Sequence, residues 1–268
     1  NALISGYIQS GLYDEALTCF KQMKNMGGSP DAITFVHILK ACSIMGSLEI
    51  GEEIDVEVRG KKLLKKDVRL STALIDMYVK CGIIVQAQQV FDDLLSRDIV
   101  SWNALIMGYA EHNYGEEALS VLEQMQKNGM SPNDVTYLCS LKACATICGT
   151  SKGQNKGREF HSEVFKKGFD TEFLIGSMLV NMYIKCCFLA EAQQVFDKLP
   201  VRSVISWTAL LAGYAQHGYG EKALNCFKMM QYEGISPNVV TFICILKACG
   251  SIGAVDKGKE IHEEIMNR

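Results

Sequence analysis

The chain has 268 residues, 48% hydrophobic and 21% charged, with four prolines. That balance excludes a disordered or low-complexity polymer and suits a chain that buries a core. No run of 18 apolar residues occurs, which excludes a membrane-spanning helix in this stretch. With 27 Lys and Arg against 30 Asp and Glu the formal net charge is −3, which disfavours nucleic-acid binding by bulk positive charge, although an extended array can still gather cations on one face.

Taken in chain order, the predicted elements are helical hairpins that repeat. Residues 1–31 open with Asn1, Ala2, Leu3 and Ile4, inside a helix expected to begin a few residues earlier, and close with Ser29, Pro30 and Asp31. Residues 32–67 carry Leu39, Lys40, Ala41 and Cys42, and residues 68–98 carry Asp76, Met77, Tyr78, Val79, Lys80 and Cys81. The clearest hairpin spans 99–133. Ser101 is a candidate cap for its first helix, with Trp102, Leu105, Ile106 and Tyr109 on one face at three- and four-residue steps. A break at 113–115 precedes a second helix with Ala118, Leu119, Leu122 and Met125 on its apolar face. Glu116 and Glu117 stand in the first turn of that helix, and Gly129 and Pro132 close it.

The same anchors then return. Asn103, Ala104, Leu105 and Ile106 recur as Thr208, Ala209, Leu210 and Leu211; Ser131, Pro132 and Asn133 recur as Ser236, Pro237 and Asn238. Leu141, Lys142, Ala143 and Cys144 match Leu246, Lys247, Ala248 and Cys249, while Asn181, Met182, Tyr183, Ile184, Lys185 and Cys186 match the Asp76 stretch. The offsets are 102 and then 105 residues, each divided into three units of 36, 31 and 35 and then 39, 31 and 35 residues. A hairpin of this length cannot bury both apolar faces alone and must stack on its copies, which is the signature of a solenoid. The residues added around 150–154 are expected to fall between helices. The first residue is not Met and the last unit is incomplete, so the stretch reads as an excerpt of a longer protein, with any targeting peptide or C-terminal domain out of view.

Eleven cysteines invite a zinc or disulfide reading. No pair is spaced C-x-x-C, and Cys42, Cys144 and Cys249 are one repeat position seen three times, as Cys81 and Cys186 are another. They are expected to pack as small apolar residues, in a reducing compartment. His161 and His262 each begin an H-x-E, half of a nucleic-acid deaminase motif, but no cysteine pair completes it, and Asp55 fills the same repeat position in the first copy. Phosphate loops, nucleophile elbows and paired-carboxylate sites are absent from the sequence. No catalytic residue, metal or cofactor is expected, and a deaminase domain would have to lie outside this chain.

The triplet pattern over essentially all 268 residues resembles pentatricopeptide repeat proteins of the subclass that alternates standard, long and short motifs. The resemblance implies an all-α fold, a right-handed α-solenoid superhelix of stacked helix-turn-helix repeats. Its units would be 1–31 (standard, truncated), 32–67 (long), 68–98 (short), 99–133 (standard), 134–172 (long, with insertion), 173–203 (short), 204–238 (standard) and 239–268 (long, truncated). It further implies that each unit addresses one nucleotide of single-stranded RNA through one side chain in the first turn of its first helix and another at its last position. Here those are Asn1 with Asp31, Thr72 with Asp98, Asn103 with Asn133, Ser177 with Ser203, and Thr208 with Asn238.

The chemistry of such pairs is intelligible by itself. An aspartate only accepts hydrogen bonds and suits the imino N–H of guanine or uracil, whereas an asparagine amide can also donate to adenine or cytosine. A small Thr or Ser leaves room for a purine; Asn favours a pyrimidine. Val36, Leu138 and Ile243 in the long units cannot hydrogen-bond a base edge and read as spacers or weak readers. With the chain parallel to RNA, as the resemblance implies, the target is 5′-U-n-G-Y-n-R-A-n-3′, Ser203 departing from the usual Asn or Asp. By the same resemblance Ile33, Val100, Val135, Leu174, Ile205 and Val240 would sandwich bases, with Arg69 the exception, and Lys80 and Lys185 would lie near phosphates; simple helix starts and solvated lysines are the alternatives. Lys40, Lys142 and Lys247 recur in the long units, and the runs Lys61–Lys62 and Lys65–Lys66 read as solvated.

Two function classes remain open. One is a sequence-specific single-stranded RNA binder that positions a mitochondrial or chloroplast transcript for processing, C-to-U editing being what the resemblance implies, with accessory editing factors as further partners. The other is a helical-repeat scaffold for protein partners. Mixed unit lengths and polar pairs at fixed places favour RNA. Neither a membrane nor a small-molecule substrate is expected.

Overall fold

A computed structural model describes residues 1–64, 67–169 and 172–267. Lys65 and Lys66 of the second lysine run lie outside the described residues. Among the described residues the secondary structure is sixteen helices and no strand. They pair as hairpins: α1 (Ala2–Gln9) with α2 (Tyr13–Asn25), α3 (Ala32–Met45) with α4 (Leu48–Gly60), α5 (Val68–Lys80) with α6 (Ile84–Asp92), and α7 (Ile99–Glu111) with α8 (Gly115–Lys127). Then follow α9 (Asp134–Thr146) with α10 (Ser151–Lys167), α11 (Phe173–Lys185) with α12 (Leu189–Lys198), α13 (Val204–Gln216) with α14 (Gly220–Tyr232), and α15 (Val239–Ile252) with α16 (Val255–Met266). The chain divides into two compact units, Asn1–Pro132 and Asn133–Arg268.

Within the first unit the first helices α1, α3, α5 and α7 pack in a row, and each of α2, α4 and α6 lies against its own partner and the next first helix. The second unit repeats this with α9, α11, α13 and α15 as the row. Successive second helices keep their backbones apart and meet through long polar side chains, as Lys24 on α2 does with Glu57 on α4 at 3.2 Å and Arg158 on α10 with Glu191 on α12 at 3.6 Å. The row can close because glycine sits where first helices meet. A Cβ on Gly108 would lie 2.4 Å from the Val79 side chain, and one on Gly213 would lie 2.8 Å from Ile184. Between hairpins, Trp102 stacks edge-on against Phe91 at 4.7 Å and Trp207 against Phe196 at 4.6 Å. Each such buried aromatic contributes roughly 1.5–3 kcal/mol by leaving water.

The turn inside the hairpin needs one left-handed residue. Gly11 and Gly218 supply it in two standard-length hairpins, and Asn113 takes the same place with φ 63. In the short hairpins Gly82 supplies it, while its counterpart Cys187 is forced to φ 62, a conformation that costs a side-chain-bearing residue about 1–2 kcal/mol.

Three sequence expectations are corrected. Ser101 does not cap α7: Asp98 does, its carboxylate accepting the Ser101 N–H at 2.8 Å, and Ser101 sits in the first turn with its hydroxyl donating to the Asp98 carbonyl. The extra residues near 150–154 do not fall between helices. Thr150 caps α10 by accepting the Gly153 N–H at 3.1 Å, so most of the insertion lengthens α10 to 17 residues against 13 in α4. Lys61 is not merely solvated, because it pairs with Glu57 at 2.7 Å and stands over the Phe35 ring.

The repeated cysteines pack as expected. Cys42, Cys144 and Cys249 are buried thiols, and burial pushes Cys42 and Cys144 up to about 12. His161 is a structural residue: its Nδ1 meets the Tyr183 hydroxyl at 2.7 Å, just as Asp55 takes the Tyr78 hydroxyl at 2.8 Å in the first copy. Among the described residues no group of three His, Cys, Asp or Glu side chains could hold a metal.

Candidate nucleic-acid interface

The first helices present their N-terminal turns as a repeated set of groups. At the second helical position stand Ile33, Val100, Val135, Leu174, Ile205 and Val240, and all six are 43–60% exposed. Their apolar surface is open to solvent, as is that of other residues at helix starts such as Val85 and Val239. Arg69 takes this place in α5, exposed, with its guanidinium 3.6 Å from the Asp67 carboxylate. Three residues further along the same face come Thr72, Asn103, Ser177 and Thr208.

Each closing residue caps the first helix of the next hairpin. Asp31, Asp98, Asn133, Ser203 and Asn238 accept the N–H of Thr34, Ser101, Thr136, Ser206 and Thr241 respectively. The cap fixes what remains to face a ligand. Asp98 spends one carboxylate oxygen on the helix and keeps the other as an acceptor. Asn238 spends its oxygen on the Thr241 N–H at 2.9 Å, so its amide nitrogen, a pure donor, is the group left over. Identical backbone geometry therefore offers an acceptor from Asp and a donor from Asn.

The pairs differ in how they meet. Asn1 Nδ2 donates directly to Asp31 at 2.7 Å, and the Thr34 hydroxyl lies 2.5 Å from Asn1 Oδ1 and 2.7 Å from Asp31 Oδ1. These bonds, the Thr34 N–H first and its hydroxyl next, hold the Asp31 carboxyl below the ordinary aspartate range. Thr208 reaches Asn238 through Thr241: the two threonine hydroxyls are 2.7 Å apart, and Thr241 donates onward to Asn238 at 2.9 Å. No such link joins the other two pairs inside a compact unit. Thr72 Oγ1 and Ser177 Oγ are buried without a hydrogen-bond partner. Asn103 belongs to the first unit and Asn133 to the second, and each is described in its own: Asn103 is buried on α7, and Asn133 caps α9 with Thr136. Val36 and Leu138 are half-buried and Ile243 is exposed.

The two lysines expected at phosphates differ as well. Lys80 donates to Glu111 at 2.9 Å, which raises its affinity for its proton. Lys185 is exposed with no ion pair among the described residues, and the place of Glu111 is taken by the uncharged Gln216. Of the hydroxyl residues Thr34, Ser101, Thr136, Ser206 and Thr241, the sequence singled out only Ser101, as a cap and not as part of the site. Their recurrence three places after each closing residue, as in a capping box, is the signal that marks them.

The model of the PPR repeat family matches residues 1–43, 97–146 and 202–251, and that of the single PPR repeat matches 70–99. The chain belongs to the pentatricopeptide repeat family. Among relatives from Arabidopsis thaliana, a putative pentatricopeptide repeat-containing protein is 35% identical over 257 residues, 96% of this chain and 35% of its own length. A chloroplastic pentatricopeptide repeat-containing protein is 36% identical over 251 residues, 94% of this chain and 40% of its own. A putative mitochondrial one is 33% identical over 262 residues, 97% and 41%. The chain thus spans about two-fifths or less of these relatives. The crystal structure of the pentatricopeptide repeat protein PPR10 in complex with an 18-nt psaJ RNA element superposes with TM-score 0.77 at 18% identity, covering 97% of this chain and 38% of that one. PPR10 from maize gives 0.63 at 19%, covering 99% and 38%. At these identities the likeness is one of fold: all-α helical repeats.

Proposed function

We propose that this pentatricopeptide repeat chain binds single-stranded RNA in a sequence-specific manner, one nucleotide per unit, with the triplet units at 1–31, 32–67, 68–98, 99–133, 134–172, 173–203, 204–238 and 239–268. The observation that carries the reading is the cap geometry. Each closing residue is held by its own helix so that Asp98 keeps an acceptor and Asn238 a donor, on helices whose second residue is an exposed aliphatic. Such a set suits an unstacked base, which needs an apolar contact on its face and a matched polar group at its edge. PPR10, of the same fold, was crystallised with an RNA element. The paired residues Asn1/Asp31, Thr72/Asp98, Asn103/Asn133, Ser177/Ser203 and Thr208/Asn238 would read 5′-U-n-G-Y-n-R-A-n-3′, and Lys185, with Lys80 partly spent on Glu111, would meet phosphates. The setting we propose is a chloroplast or mitochondrion, as in the names of the relatives, with transcript processing, C-to-U editing with accessory factors in particular, as the role.

Binding of the chain to 5′-UAGCAAAA-3′ against the same RNA with A at the third base tests this. A preference for G of about tenfold is expected, the value of one matched polar contact. Equal binding to both would contradict base reading, and no binding to either would favour a protein scaffold.

A further inference from the structure

Thr72 and Thr208 are the same residue at the same place in two units, yet only Thr208 is hydrogen-bonded. Thr208 lies on α13 and meets Thr241, the third residue of α15; Thr241 hands its own proton to Asn238, so the Thr208 hydroxyl donates to Thr241. Asn1 is tied as well, in the opposite sense: its Oδ1 accepts from the Thr34 hydroxyl while its Nδ2 donates to Asp31. In the short units the residue three places after the closing reader is a serine instead. Ser101 donates to the Asp98 carbonyl at 2.8 Å and Ser206 to the Ser203 carbonyl at 3.1 Å. Their protons are spent on the backbone, and neither reaches across to the neighbouring first helix. Thr72 Oγ1 and Ser177 Oγ are left buried with no partner, Ser177 only 8% exposed. The closing residue does not account for the difference, since Asp31 and Asp98 are both aspartates and only the Thr34 site is linked.

We propose that the hydroxyl residue three places after the closing reader is a positioning residue that sets the state of the unit's first reader. Threonine ties the reader into the protein, whereas serine leaves it as an unspent buried hydroxyl that donates to a purine ring nitrogen. A polar group that lacks a partner in the free protein loses nothing when it binds, whereas a tied one must first give up its internal bond. The short units are therefore the stronger purine selectors of the array. This rests on the base-by-base reading proposed above.

The test pairs two isosteric changes, Thr72→Val and Thr208→Val, with Ser177→Ala as a second short-unit variant and Asp98→Asn as a control. Each chain is melted without RNA and titrated with 5′-UAGCAAAA-3′ and with copies carrying U or A at the third base, the Ser177 unit being read at its own nucleotide. Thr72→Val should leave the melting temperature unchanged or raised while the preference for G over U falls about tenfold; Ser177→Ala should likewise not lower the melting temperature. Thr208→Val should lower it by several degrees. Ser101→Thr should raise the melting temperature and weaken the preference for G over U. A fall with Thr72→Val equal to that of Thr208→Val overturns the proposal. So does an unchanged preference for G over U while Asp98→Asn still shifts G against A, an outcome that leaves base reading intact. If Asp98→Asn shifts nothing either, base reading fails and the proposal falls with it.

Discussion

Replacing Ile33 and Val100 together by alanine separates a binding face from a packing face. Both side chains stand at the second position of a first helix, α3 and α7, with more than half of their surface in water. Complete burial of a Val or Ile side chain is worth about 1.5–3 kcal/mol, so the half still exposed leaves about 1 kcal/mol per residue for a base face to collect. That is about a fivefold loss of affinity for each truncation. Helices α3 and α7 do not touch each other, so the losses should combine to about 25-fold. The fold should not suffer, because little core contact is removed and alanine favours the helix over Ile or Val by roughly a few tenths of a kcal/mol. The assay is fluorescence anisotropy with labelled 5′-UAGCAAAA-3′ at fixed salt, beside a thermal melt by circular dichroism. Affinity within twofold of the parent at an unchanged melting temperature would refute the sandwich reasoning. A drop of several degrees would mean that the side chains serve packing instead.

Other expectations follow from single contacts. Lys185→Ala should reduce the slope of log affinity against log salt by about 0.7, the share of one phosphate on a single strand, and Lys80→Ala by clearly less because Glu111 already holds its charge; equal slopes would count against that division. Cys187→Gly should raise the melting temperature by about 1–3 °C by removing left-handed strain, with Gly82→Cys acting in the opposite direction, and a lower temperature for Cys187→Gly would refute the strain. The Asp31 carboxyl, held below its ordinary value by Thr34, contributes stability that is complete above the unfolded value of about 3.9 and is lost as pH falls through the lower folded one. A carboxyl-detected NMR titration should find its midpoint below that value; a midpoint at or above it would break the sign of the linkage.

The helices and their pairing were legible because the apolar stripe returns every three to four residues and whole hairpins return every 102 and 105. The cap of α7 was not. Asp98 and Ser101 are both cap-forming types three places apart, and Ile99 and Val100 between them are not fully buried, so the stripe starts later than the helix does. The start of α10 was hidden for a similar reason: residues 151–156 are polar or glycine and carry no periodicity, and only the Thr150 cap draws them into the helix. The aliphatic row was nameable, but its exposure depends on how the first helices pack. The bonds from Asn1 to Asp31 and from Thr208 to Thr241 join separate hairpins, and no local rule of sequence contains them. Lys80 and Lys185 look alike in sequence because the partner that separates them, Glu111 or Gln216, lies on the next first helix.

The central claim is that the side chains of a unit choose its base, and exchanging both readers of one unit tests it most directly. Thr72→Asn with Asp98→Asn keeps the cap, since asparagine caps a helix as well as aspartate does, but replaces the outward acceptor by a donor and fills the space left for a purine. Affinities for 5′-UAGCAAAA-3′ and for copies with each other base at the third position should then move from G toward pyrimidine, C foremost, with the other positions unaffected. A changed chain that binds as tightly as before and still prefers G would contradict base-by-base recognition by these residues.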